Sequence, residues 1–238
     1  MKKTILALTL ILTGGLFAAE ALPEPVLDYD FTAPVIAQRG KYTQPKFVAP
    51  PVITTPVQAL KLTKYNYMTV PESAGMTVKN GMTLHAVVNF SVKTAVKGKT
   101  DVLDMVFFKP GEFLLGRNGN HLYFNVGNGQ SFKTKWQMTT LVPNIPVQRW
   151  TALTATVGET APGTYTVTLY IDGMKVKTAA YKAVINPPNK ELVTIGKGWG
   201  GWWIMEGMIA TAQIYDKVLT PAQVAEIAKQ LEKVAGKK

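Results

Sequence analysis

The dipeptide Asp172-Gly173 stands between two runs in which apolar and polar residues alternate, Tyr165 to Ile171 and Lys175 to Ala180. Alternation of period two places successive side chains on opposite faces of a strand. Asp-Gly supplies the positive backbone angles of a two-residue hairpin turn. A chain built this way is committed to antiparallel pairing there, and the same unit recurs in weaker form along most of its length.

Asn80-Gly81 is a second tight-turn dipeptide. After it, Leu84, Ala86, Val88 and Phe90 alternate with Thr83, His85, Val87, Asn89 and Ser91 within Met82 to Val92. The apolar set predicts an inward face, and its phase assigns His85 to the surface. Ala59 to Leu62 and Tyr67 to Val70 flank a polar turn at Lys64 to Asn66. Further strands are expected at Val102 to Phe108, Phe113 to Arg117, Leu122 to Val126, Trp150 to Val157, Glu191 to Ile195 and Glu206 to Tyr215. Short strands with turn signals at this spacing predict an all-β sandwich. From Glu24 to Thr55 prolines punctuate the chain, so one strand, Val26 to Phe31, is expected there, followed by an extended connection. The last element is the one convincing helix. Thr220 is a good N-cap, Pro221 suits the first helical position and Gln223 completes a capping box. Val224, Ile227, Ala228, Leu231 and Val234 form one apolar stripe across 221–234, and Gly236 marks the stop.

The N-terminus reads as a secretory signal peptide over 1–21: Lys2 and Lys3, an apolar run from Ile5 to Phe17, then Ala19-Glu20-Ala21. Cleavage is expected after Ala21, since a cut after Ala19 would put bulky Phe17 at the outer specificity position. The run is shorter than the roughly 20 apolar residues of a spanning helix. A single domain over 22–238 in the periplasm or outside the cell is therefore expected, with no membrane attachment after cleavage. The chain has no cysteine, which a core of this size does not need. That removes thiol nucleophiles, cysteine-zinc sites and iron–sulfur chemistry. The formal net charge is +11, but the lysines are scattered and no nucleic-acid motif occurs, so no nucleic-acid partner is expected. Screened attraction to anionic cell-surface polymers remains open.

Several weak motifs in order carry a family resemblance. LDYDF starts at Leu27, ALKLTKYNYMTVP at Ala59 and GMTLHAVVNF at Gly81. WTALTATV starts at Trp150, LYIDGMKV at Leu169 and LVTIGKG at Leu192, followed by EGMIATAQIYDKVLTPAQVAEI from Glu206. Together they resemble the laminin-G-like, concanavalin A-like lectin and glucanase domains. The resemblance implies a two-sheet antiparallel jelly-roll sandwich closed by one C-terminal α-helix. Departures are specific. Ala210 and Thr211 stand where many relatives carry an acidic pair, and Val88 stands where many carry tryptophan. The loop Asp/Asn cluster of the calcium-binding members has no counterpart, so no cofactor is expected and calcium lacks a ligand set.

Most enzymatic chemistry lacks an anchor. The superfamily's glycoside hydrolases place two carboxylates on one strand face within roughly 5–10 Å, with a spaced Glu-x-Asp-x-x-Glu type of signature that is absent here. Asp28/Asp30 and Asp101/Asp104 are the closely spaced acidic pairs, and a polar solvent face accounts for the first more readily than catalysis. His85 and His121 are not at metal-ligand spacing. No Gly-x-Ser-x-Gly elbow occurs, and GKGWGG from Gly196 lacks the ending of a phosphate loop.

The candidate ligand residues are aromatic. Gly196 to Gly207 reads GKGWGGWWIMEG, three tryptophans in a Gly-rich loop between strands. Trp199, Trp202 and Trp203 can stack on the CH faces of sugars or tuck onto the rim of the sandwich. Trp202 and Trp203 should point to opposite sides once the strand has begun. A second polar run, RNGNH from Arg117, adds Arg117 and Asn118, with Asn125, Asn128, Gln130 and Trp136 beyond it. Asn118-Gly119 also suits a hairpin turn. A non-catalytic module binding a glycan or polysaccharide is the leading expectation. A module for adhesion or for binding a cell-surface or extracellular protein is the alternative, and a hydrolase of the same fold is less favoured.

Overall fold

The computed structural model describes residues 21–33, 37–41, 45–54, 57–63, 66–71, 73–92, 103–129, 136–199 and 203–235. Residues 1–20 of the expected signal peptide, Asp101, Gln130, Trp202 and Gly236 lie outside the described residues. The strands in chain order are β1 (Leu27–Asp30), β2 (Ala37–Arg39), β3 (Lys46–Phe47), β4 (Val52–Ile53), β5 (Leu60–Leu62) and β6 (Met68–Val70). They continue as β7 (Met82–Phe90), β8 (Leu103–Lys109), β9 (Phe113–Asn118), β10 (His121–Val126) and β11 (Met138–Val142). The last are β12 (Trp150–Ala161), β13 (Thr164–Ile171), β14 (Met174–Lys182), β15 (Val193–Ile195) and β16 (Gly207–Tyr215). α1 (Pro221–Ala228) follows, then a 3-10 turn (Lys229–Leu231) and α2 (Glu232–Ala235).

Two antiparallel sheets form. In one the order is β14-β13-β12-β7-β16-β1-β2, with β5 added to β16 and β4 to β5. The other runs β11-β10-β9-β8-β15-β6-β3. Leu84, Ala86, Val88 and Phe90 of β7 meet Phe113, Leu115, Leu122 and Phe124 of the facing sheet in the core, as the alternation predicts. Each such side chain contributes about 1.5–3 kcal/mol on burial. The hairpin at Asp172-Gly173 has the expected backbone, with φ of 52° and 78°. β14 is an edge strand, and its exposed Lys175, Lys177 and Lys182 place charge where unwanted strand pairing would occur.

The helix lies on the outer face of the nine-stranded sheet, where Val224 and Ile227 pack on Tyr170 and Tyr215. Ala228 and Val234 pack on Val87, Ala152 and Ala210. This cover corrects two expectations. His85 is on the outer face as its phase requires, yet it is fully buried. Its Nδ1 lies 2.9 Å from Thr154 Oγ1. Asp28 and Asp30 share that face and are also buried rather than solvated.

The capping box is present. Thr220 Oγ1 accepts from the Gln223 backbone at 3.3 Å, and Gln223 Oε1 accepts from the Thr220 backbone at 2.9 Å. Gln223 Nε2 donates to the Ala21 carbonyl at 3.1 Å, tying the described N-terminus to the helix. Thr220→Ala is expected to lower stability by about 1 kcal/mol, read as a shift in the urea midpoint at constant m-value.

Candidate functional site

On β10, Leu122, Phe124 and Val126 point into the core. His121, Tyr123 and Asn125 therefore point to the outer face of the seven-stranded sheet. Leu103, Met105, Phe108 and Leu114 join them there, and Tyr123, Trp136 and Trp203 pack against this apolar floor. Trp203 meets Phe108 edge to face, with ring centroids 6.1 Å apart. On the same face lies Asn125, fully buried. Its Nδ2 donates to the Tyr123 hydroxyl at 2.7 Å. Its Oδ1 has no hydrogen-bond partner.

The Gly-rich loop forms one wall of this face. A bridge between Lys197 and Ile204 closes its base, and the Met205 N–H donates to the Gly196 carbonyl at 2.9 Å. Gly198 lets the loop lie against the sheet, because a Cβ there would sit 2.6 Å from Met105 Cγ and 3.1 Å from Trp203 side-chain atoms. Lys197 Nζ stands 4.3 Å from the centre of the Tyr67 ring, a cation–π contact at the base of the loop. The loop carries Trp199, which is 48% exposed.

The expected ligand residues thus divide. Trp199 is 48% exposed, whereas Trp203 and Trp136 are half-buried against the apolar floor of this face. Asn118 is half-buried at the end of β9, paired with His121 across the Gly119-Asn120 turn. Arg117 lies inside the sandwich, 3% exposed, where its Nε donates to Asp104 Oδ2 at 2.8 Å. Register accounts for that pair, since Asp104 and Arg117 are directly opposite on β8 and β9. Arg117 Nη2 also donates to the Ser91 carbonyl at 3.0 Å, so this side chain fastens the loop after β7 to the sheet. Tyr123 was not among the expected ligand residues. Its signal is the alternation in HLYFNV, which sets it on the same face as Asn125.

The carboxylates of Asp28, Asp30 and Asp104 are committed within the fold. Asp28 takes Arg39 Nε at 2.9 Å and Gln213 Nε2 at 2.9 Å. Asp30 takes Lys233 Nζ at 2.9 Å and the Thr32 hydroxyl at 2.6 Å. Burial raises the Asp30 carboxyl, but the hydrogen bonds from Thr32 and Lys233, with the Lys233 charge, outweigh it and hold the group below its ordinary value. At the opposite end, buried Lys109 donates to the carbonyls of Ala74 and Met76 at 2.8 and 2.6 Å, beside Glu112. Burial pushes Glu112 up and Lys109 down. Among the described residues no group of three or more His, Asp or Glu could hold a metal ion, and no helix is long and apolar enough to cross a membrane.

Comparison with solved structures gives likeness of fold. The botulinum neurotoxin type G receptor binding domain superposes with a TM-score of 0.65 at 12% identity, over 87% of this chain and 51% of that one. The binding domain of botulinum neurotoxin DC in complex with rat synaptotagmin II gives 0.62 at 12% identity, over 87% and 51%. The same binding domain in complex with SialylT gives 0.61 at 13% identity, over 87% and 51%. The chain spans about half the length of these structures. A search of curated protein sequences finds no match. The sequence profile described as the Concanavalin A-like lectin/glucanases superfamily matches residues 62–225. That stretch runs from β5 through both sheets and into the capped helix, and the chain therefore belongs to the Concanavalin A-like lectin/glucanases superfamily.

Proposed function

We propose that this is an exported, non-catalytic carbohydrate-binding module. Its glycan lies on the outer face of the seven-stranded sheet, between Trp199 and Trp203 on one side and Trp136 on the other. The observation that carries the reading is the buried, unpartnered Asn125 Oδ1 on the sheet face against which Tyr123, Trp136 and Trp203 pack. An unmet buried acceptor costs about 1–3 kcal/mol, which a donating hydroxyl recovers. A sugar offers both that hydroxyl and apolar CH faces for the rings. The fold neighbours were captured with a protein in one case and with SialylT in another, so fold alone does not choose between them. A protein interface would present a broad apolar patch with a polar rim, whereas here a few rings share a sheet face with one unmet polar acceptor. The commitment of Asp28, Asp30 and Asp104 to ion pairs favours binding over hydrolysis, which needs two opposed carboxylates.

The test is a glycan-array and polysaccharide pull-down screen of the exported chain, with and without calcium, followed by tryptophan fluorescence. Trp199→Ala and Tyr123→Ala are each expected to weaken saturable glycan binding at least tenfold, the scale of an aromatic anchor worth about 2 kcal/mol. Binding that survives both substitutions together would place the glycan elsewhere. Capture of a protein partner with no glycan bound would replace the reading.

A further inference from the structure

Next to the Gly-rich loop, at the end of the sandwich where β5 and β16 meet, lies a cavity of about 410 Å³. Its apolar wall is Leu62 and Met208; besides Thr54, whose hydroxyl donates to the Val57 carbonyl at 2.7 Å, four polar residues line it, Lys61, Thr63, Ser91 and Glu206. None of those four side chains makes a hydrogen bond or ion pair with a described residue. Small-molecule sites commonly occupy about 300–1,000 Å³ and carry a few convergent polar groups on an apolar wall.

The polar wall is rigidly held. The Ser91 N–H donates to the Glu206 carbonyl at 3.0 Å, and the Glu206 N–H donates to Asp104 Oδ1 at 3.1 Å. Arg117 Nη2 donates to the Ser91 carbonyl. Ser91 and Glu206 are thereby both anchored to the buried Asp104–Arg117 ion pair, which fixes where Glu206 leaves the backbone. Buried support of this kind is what a preorganised binding group needs.

We propose that this cavity is a second saccharide subsite, holding one neutral sugar residue at the end or branch of a glycan. The Glu206 carboxylate would accept from adjacent sugar hydroxyls, the Lys61 ammonium would donate to a hydroxyl or ring oxygen, and Thr63 and Ser91 can do either. Lys61 and Glu206 carry opposite charges, so together they favour a ligand of neither net sign, and a polyol matches a mixed set of acceptors and donors. The subsite rests on the carbohydrate reading above but uses different residues.

The ¹⁵N-labelled exported chain is titrated with the methyl glycosides of glucose, galactose, mannose and N-acetylglucosamine, and backbone amide shifts are followed by NMR. At least one glycoside is expected to shift the amides of Thr63, Ser91, Glu206 and Gly207 saturably. Glu206→Gln and Lys61→Met, both exposed and therefore safe for folding, should each weaken that response at least tenfold, while Lys177→Met on the exposed edge strand leaves it unchanged. Shifts confined to Tyr123 and Asn125, unaltered by Glu206→Gln, would remove this subsite and leave the aromatic face standing. A response to free glycine or lysine instead of glycosides would reassign the cavity to zwitterionic ligands. Silence toward every glycoside together with a negative polysaccharide screen would overturn both.

Discussion

Replacing Asp104 with alanine is expected to destabilise the folded chain by about 3–5 kcal/mol, seen as a large fall in the denaturant midpoint. Asp104 is fully buried and Arg117 is 3% exposed, so the substitution strands a guanidinium inside the sandwich. What remains to that cation is the Ser91 carbonyl and the face of Phe90, whose ring centre is 5.0 Å away. Whole-domain stabilities are about 5–15 kcal/mol, so the loss would bring the chain close to unfolding at moderate temperature. The double variant Asp104→Leu, Arg117→Met separates charge burial from anchoring. An apolar pair of similar volume often restores the stability of a buried ion pair. It cannot supply the bonds to the Glu206 N–H and the Ser91 carbonyl. The double variant should therefore fold nearly as well as the parent while its amides at Ser91 and Glu206 broaden or shift. A single variant as stable as the parent would show that Asp104 does not carry a buried charge.

That ion pair also marks how far the sequence can be read. Asp104 and Arg117 are individually visible as a strand acid and a loop-edge base, but their meeting depends on the register of β8 against β9. Local pattern does reach the elements whose signal is local. The positive angles of Asp172-Gly173, the inward set of β7 and the capping box at Thr220 all follow from neighbours within a few residues. β11, Met138–Val142, carries no flanking turn dipeptide and pairs with β10 through tertiary contact. β2, β3 and β4 are two or three residues long, too short for alternation to register. The aromatic loop is legible as a candidate because three tryptophans among glycines are rare, but the side each ring takes is decided by the sheet floor beneath. Trp203 finds Phe108 and becomes half-buried, whereas Trp199 stays 48% exposed.

The other blind spot is the second layer over a sheet. Period two tells which face His85 occupies and says nothing about whether a helix covers that face. The cover has a measurable consequence, since burial lowers the His85 pKa from 6.5 to about 3. Between those values the unfolded chain binds a proton that the folded chain refuses, so stability increases with pH across the window. The contribution is complete above about pH 6.5 and is lost as pH falls toward 3. At 1.36 kcal/mol per unit of difference in pKa, about 2–3 kcal/mol should be lost between pH 7 and 4.5. The lowered value of Asp30 acts in the same direction at lower pH, so the parent's slope alone does not isolate the histidine. His85→Asn keeps a polar group near Thr154 and has no proton to gain in this range. Urea midpoints of both proteins at pH 7 and 4.5 give the difference directly. The variant is expected to lose about 2–3 kcal/mol less than the parent on acidification. Equal losses would mean that the helix opens to let His85 reach water, and that the outer face of the nine-stranded sheet is not the dry layer seen beneath Val224 and Ile227.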